Sequence, residues 1–138
     1  MMKTRSITEV AKSFLDDCIP PDGIVCDFTM GTGHDTLWFS GLVPAGHVYA
    51  FDVQPLALER TRERLDAAGG CPNVTLILDS HEHFDRYVGV PFDAGMFNLG
   101  YLPTSDRVLT TKAETSLAAV KKAVEHVKVG GTVVVVVY

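Results

Sequence analysis

The sequence predicts an α/β domain built on a doubly wound, mostly parallel sheet. Three observations carry this reading. The apolar runs of strand length are nearly unbroken instead of alternating, which is the pattern of strands covered on both faces. They take turns along the chain with segments of helical character. Polar residues stand where the runs end, and ligands of open parallel sheets bind beyond the carboxyl ends of the strands.

Taken in order, the first helix is expected over about 6–18, where Ile7, Val10, Ala11, Phe14, Leu15 and Cys18 share a stripe. Ser6 and Glu9 have the spacing of a capping box, and Pro20, Pro21 and Gly23 stop the helix. Strand one is expected over 24–28, followed by the loop Thr29-Met30-Gly31-Thr32-Gly33 and a helix over 35–42. Strand two covers 47–51 and ends in Asp52. The next helix opens at Pro55, whose missing N–H has no partner to lose in a first turn, and stops at Gly69-Gly70. Its Glu59, Arg60, Arg62, Glu63 and Arg64 read as a solvated face laced with ion pairs. Strand three spans 74–78 and closes on Asp79, and strand four spans 92–97 and closes on Asn98. A helix over 113–128, capped by Thr111 with Glu114 and ended by Gly130-Gly131, leads to strand five at 133–137.

Composition narrows the function classes. A chain of 138 residues, 46% hydrophobic and 21% charged, is long enough for one domain with a real core and too apolar for disorder. A net charge of −5 excludes a polybasic nucleic-acid or membrane-surface module. RNA contact would therefore need a local patch, for which Lys3, Arg5, Lys12, Arg107 and Lys112 are the weak candidates. Cys18, Cys26 and Cys71 form no C-x-x-C pair, so a reduced, cytoplasmic setting is expected. Neither a signal-peptide core nor an apolar run of membrane-spanning length is visible. His81-Glu82-His83 has the wrong spacing for a metal motif, and no metal is expected.

The chemistry gathers at the strand ends. Asp27 enters a loop whose Gly31 and Gly33 let backbone approach a ligand, with N–H donors of the next helix close behind. Thr36 stands where a dinucleotide fingerprint wants its third glycine, and Asp27 would repel a pyrophosphate. An acid beside N–H donors suits a zwitterionic tail next to a sulfonium; a tight turn using glycine for geometry alone is the bland alternative. Asp52 can take both hydroxyls of a ribose, or cap the helix after it, and Gln54 follows within reach of the same sugar. Asp79, Ser80 and His81 can edge an adenine or cap a helix. Three consecutive strands ending in such residues resemble the signature of S-adenosylmethionine-dependent methyltransferases of the Rossmann-like class. In amine-methylating enzymes of that fold an Asn placed like Asn98 meets the target nitrogen. That resemblance implies that Asn98 accepts its N–H groups and aims the lone pair at the methyl carbon, with Tyr101 stacking on a planar base. A turn cap and a packing tyrosine are the alternatives there.

Five stretches closely resemble one family: D-F-T-M-G-T-G-H-D-T at 27–36, F-D-V-Q at 51–54, D-S-H at 79–81, F-N-L-G-Y-L-P at 97–103 and T-K-A-E-T at 111–115. It is the rRNA methylase family of class I methyltransferases, associated with methylation of wobble-position 5-aminomethyl uridines in bacterial tRNA. The resemblance runs from about residue 22 to the end of the chain. It implies that Asp27, Gly31, Thr32, Gly33, Asp52, Gln54, Ser80 and His81 hold S-adenosylmethionine, and that Asn98 and Tyr101 serve the methyl acceptor. Phe28 departs from the family's usual small residue, and Thr32 from the Asn of G-N-G. Methyltransferases of this fold add two strands after the fifth. Residues 1–138 are expected to form a single, C-terminally short domain, whose apolar fifth strand is met either by a C-terminal piece absent from this chain or by a second copy. The resulting expectation is a methyltransferase acting on an amine of a tRNA uridine. A small-molecule N-methyltransferase and an inactive cofactor-binding domain are the alternatives, and an NAD-dependent oxidoreductase is disfavoured by Thr36 and Asp27.

Overall fold

In a computed structural model, which describes residues 7–99 and 106–137, five strands form one sheet in the order β3-β2-β1-β4-β5. The elements follow the chain as α1 (Ile7–Leu15), β1 (Ile24–Asp27), α2 (His34–Leu42), β2 (His47–Asp52), α3 (Pro55–Ala67) and β3 (Val74–Leu78). A short 3₁₀ helix (His81–Arg86), β4 (Phe92–Leu99), α4 (Asp106–His126) and β5 (Val127–Val137) complete it. All four strand pairings are parallel. The order reverses between β1 and β4, the point at which ligands of such sheets bind in the crevice beyond the carboxyl ends of the strands.

Each face of the sheet carries its own apolar cluster, as the unbroken apolar runs require. On one, Ala11 and Leu15 of α1 and Phe39 of α2 meet Val25, Val48, Ala94 and Met96. On the other, Phe84 and Ala119 and Ala123 of α4 meet Cys26, Phe51, Phe92 and Phe97. Phe28, the family departure, is the hub of this second cluster. It lies flat on Phe97 with centroids 4.2 Å apart and touches Phe51, Phe84 and Phe92 as well. Gly95 makes room for it, since a Cβ at that position would lie 2.7 Å from the Phe28 ring.

Several expectations need correction. Helix α1 is shorter than 6–18, and Ser6 of its capping box lies outside the described residues. Strand β1 ends at Asp27, one residue early, while α2 begins one residue early at His34. The 3₁₀ helix was not foreseen; its six residues make about two turns, too few to show a period. Helix α4 starts at Asp106, so Thr111 is interior to it and not its cap. The helix stops at His126, and Gly130-Gly131 lie inside β5 instead of ending the helix. The reason is a register break: Val127 pairs with Phe92 and Thr132 with Ala94, and the surplus residues bulge out at Gly130, whose φ is +85°. The α3 face also differs. Among the described residues Arg60, Arg62 and Arg64 enter no ion pair; the five pairs found lie elsewhere. Lys12 is engaged by Asp35 at 2.9 Å and lies over the Trp38 ring, so it is not held ready for phosphate. No helix among the described residues is long and apolar enough to cross a membrane.

Candidate active site at the carboxyl ends of the strands

The end of β1 is held from inside. Asp27 is fully buried, takes the Thr36 hydroxyl proton at 2.6 Å on one oxygen and the Thr29 N–H at 3.2 Å on the other. Burial pushes its carboxyl up to about 7, against the opposing pull of the Thr36 hydrogen bond. Thr36, noticed in the sequence only as a missing glycine, is thus the partner that makes a buried acid tolerable.

Thr29 then joins the two sides of the crevice. Strand β4 runs past the end of β1, so the N–H of Asn98 has no ladder partner on that side. The Thr29 hydroxyl oxygen accepts it at 2.8 Å. This ties the backbone of Asn98 to the glycine loop, and nothing in the sequence pattern had singled Thr29 out. The side-chain oxygen of Asn98 is buried and accepts no hydrogen bond among the described residues. A buried carbonyl oxygen without a donor costs free energy unless a ligand supplies one. Tyr101 lies outside the described residues, as do Gly100, Leu102 and Pro103.

The glycine loop is anchored at both ends of its turn. Gly31 has φ +54° and open space where a Cβ would point, while Gly33, at φ +89°, is packed against Thr61. Asp52 accepts the Gly31 N–H at 3.2 Å on one oxygen and the Gln54 N–H at 3.0 Å on the other. It does not cap α3, whose N-cap position is Gln54 with no side-chain cap bond. Each carboxylate oxygen retains a lone pair, and the group is half-buried at the rim. Gln54 is exposed beside it. Thr32 is exposed, and its backbone carbonyl accepts the Arg64 Nε–H at 2.8 Å.

The third strand end divides into two groups. Asp79 is consumed locally, accepting from His83 Nδ1 at 2.9 Å, the Tyr87 hydroxyl at 2.6 Å and the Ser80 N–H at 2.7 Å. His83 and Tyr87 hold its carboxyl down at about 2. Ser80 caps the 3₁₀ turn through the Glu82 N–H. His81 turns inward: its Nδ1 donates to the Phe28 carbonyl at 3.0 Å, and its ring sits edge-on to Phe97. That bond leaves Nε2 as the acceptor nitrogen, 3.5 Å from the Ser116 hydroxyl of α4. Burial lowers the His81 pKa, so the ring is neutral.

Hydrogen bonds tie Asp52 to Gly31, His81 to the Phe28 carbonyl and the Asn98 N–H to Thr29, so these residues lie around the loop that follows β1, with Asp27 buried at its start. An open groove of about 630 Å³ between α2 and α3 has Thr32 of the glycine loop in its lining.

Comparisons with known proteins agree with this fold. An rRNA methylase of Streptococcus thermophilus superposes with a TM-score of 0.84 and 40% identity, over 99% of this chain and 73% of that one. A Streptococcus mutans protein described as a "putative methyltransferase", crystallised in complex with SAH, superposes at 0.83 with 40% identity over 96% of this chain and 73% of its own. Among curated proteins, the chloroplastic tRNA (mnm(5)s(2)U34)-methyltransferase of Arabidopsis thaliana is 35% identical over 97% of this chain. The chain spans 53% of the length of that relative. The family model described as "Putative rRNA methylase" matches residues 48–138, and the chain belongs to that family.

Proposed function

We propose that this chain carries the cofactor-binding and methyl-transfer site of an S-adenosylmethionine-dependent methyltransferase whose acceptor is the amine of a 5-aminomethyl uridine in tRNA. The observation that carries the acceptor assignment is the buried side-chain oxygen of Asn98 with no donor among the described residues. An amine N–H satisfies it, and the nitrogen lone pair is then turned by a group whose backbone Thr29 already fixes. The relatives' names support the methyl donor and the tRNA nucleoside. When bound, S-adenosylmethionine supplies an electrophilic methyl group. Asp52 and Gln54 would hold its ribose, Gly31, Thr32 and Gly33 its amino-acid tail, and Ser80 and His81 the adenine edge. Asp27 acts on the cationic tail by its charge, since both its oxygens are already engaged. Tyr101 would stack on the base. Mass spectrometry of tRNA nucleosides after incubation with labelled cofactor tests the whole reading. Label in 5-methylaminomethyl uridine is expected; label only in free small amines would move the acceptor class, and a bound cofactor without transfer would leave a binding domain.

The Asp27 carboxyl gives this site a pH signature. With its proton affinity raised to about 7, the carboxyl is neutral in weakly acidic solution, and a cation bound nearby favours its ionised form. Cofactor affinity should therefore strengthen as pH rises through about 7 and level off above it, with a proton released on binding. Calorimetry in buffers of different ionisation heat checks this, and a pH-independent affinity with no proton release removes Asp27 from the ligand's field. In the unliganded chain the sign reverses. Folded Asp27 holds its proton more tightly than the unfolded carboxyl near 3.9, so its contribution to stability falls as pH rises between about 4 and 7.

Strand β5 lies at the sheet edge, and Val135 and Val137 are exposed on it. These features support self-association of this chain through that edge. Light scattering should find a dimer or larger species, whereas a monomer at all concentrations rejects the pairing. The free state of Cys18, Cys26 and Cys71 supports a reducing compartment such as the cytoplasm.

A further inference from the structure

We infer that α3 is a clamp on the cofactor loop, with Thr61 and Arg64 as positioning residues that set cofactor affinity without touching the cofactor. The inference rests on the cofactor reading above. Three consecutive loop residues are held by this one helix. The Thr61 hydroxyl donates to the Gly31 carbonyl at 3.2 Å, and Arg64 Nε–H donates to the Thr32 carbonyl at 2.8 Å. Gly33 lies so close to α3 that a Cβ there would come within 2.9 Å of Thr61 Cα and Cγ2.

A trans peptide is planar, with its N–H opposed to its C=O. Drawing the Gly31 carbonyl toward α3 therefore turns the Thr32 N–H away from α3. Asp52 completes the arrangement by taking the Gly31 N–H. The loop thus meets its ligand already shaped, and the ordering cost falls on folding instead of on binding. Thr61 is wholly buried, so its role is built into the core. Arg64 is half-buried on the wall of the open groove between α2 and α3, where no ion pair competes for it among the described residues. That makes it the residue to test. Arg62, exposed on the same helix and with no contact to the loop, is the control.

The experiment titrates S-adenosylhomocysteine by calorimetry into the unaltered protein, Arg64→Ala, Arg64→Lys and Arg62→Ala, and records thermal unfolding of each without ligand. Losing a charge-assisted bond to a loop carbonyl should weaken binding about tenfold in Arg64→Ala. Arg64→Lys, which can still donate one hydrogen bond, should recover part of that loss, and Arg62→Ala should match the unaltered protein. With cofactor varied in the transfer assay, Arg64→Ala should raise KM for the cofactor and keep kcat. Binding by Arg64→Ala within about twofold of the unaltered protein, or a fall in kcat at unchanged KM, overturns the clamp. Failure of the unaltered protein to bind S-adenosylhomocysteine overturns the cofactor reading instead, and the clamp with it.

Discussion

Replacing Asn98 by alanine should lower turnover about a hundredfold while leaving cofactor affinity nearly unchanged. The magnitude is that of a reacting group misplaced by roughly an ångström in an otherwise intact site. The split follows from position. The side chain of Asn98 presents an acceptor with no donor among the described residues, while its backbone stays anchored on Thr29 whatever side chain is present. On the proposed reading the substitution therefore removes the group that orients the amine and leaves the pocket standing. Single-turnover rates on tRNA bearing the aminomethyl uridine, set beside calorimetry with S-adenosylhomocysteine, give the two numbers. Full turnover by the variant would reduce Asn98 to a turn residue and send the search for the orienting group elsewhere along 99–103.

Asp52→Ala should do the opposite, weakening cofactor binding at least tenfold and acting on turnover through saturation. One hydrogen bond to a charged group is worth about 1.5–3 kcal/mol, and each 1.4 kcal/mol is about tenfold in affinity. Asp52 has two tasks in this fold. Its oxygens already receive the Gly31 and Gln54 N–H groups, and on the proposed reading its remaining lone pairs take the ribose hydroxyls. Alanine therefore frees a loop donor as well as deleting the sugar contact. An unchanged dissociation constant for S-adenosylhomocysteine would sink the ribose assignment.

The fold was legible because it is a matter of period and punctuation. Nearly unbroken apolar runs such as 24–28 and 92–97 announce buried parallel strands, and polar residues at their ends mark where ligands of such sheets bind. Boundaries failed where a tertiary contact overrode local pattern. Gly130-Gly131 looks like a helix stop, yet pairing of Val127 with Phe92 draws the segment into the sheet and turns the glycines into a bulge. For the site, Asp52, His81 and Asn98 could be proposed from polar chemistry at or just after a strand end. Thr29, Thr36, Thr61 and Arg64 could not, since each acts through one contact with a residue that sequence alone does not place beside it. Phe28 was read as an anomaly for the same reason: its compensation sits on another strand, at Gly95.

That last pairing means positions 28 and 95 share a single allotment of space. A ring enters from β1's end only because β4 yields its side chain, so neither position can be exchanged alone without either a hole or a collision. Phe28→Ala and Gly95→Ala would each damage the protein, and combining them would restore part of what each one loses. Because Phe28 also offers its carbonyl to His81 and precedes the threonine that holds Asn98, this hidden swap of volume reaches the crevice. The ligand site inherits its shape from a trade made in the core.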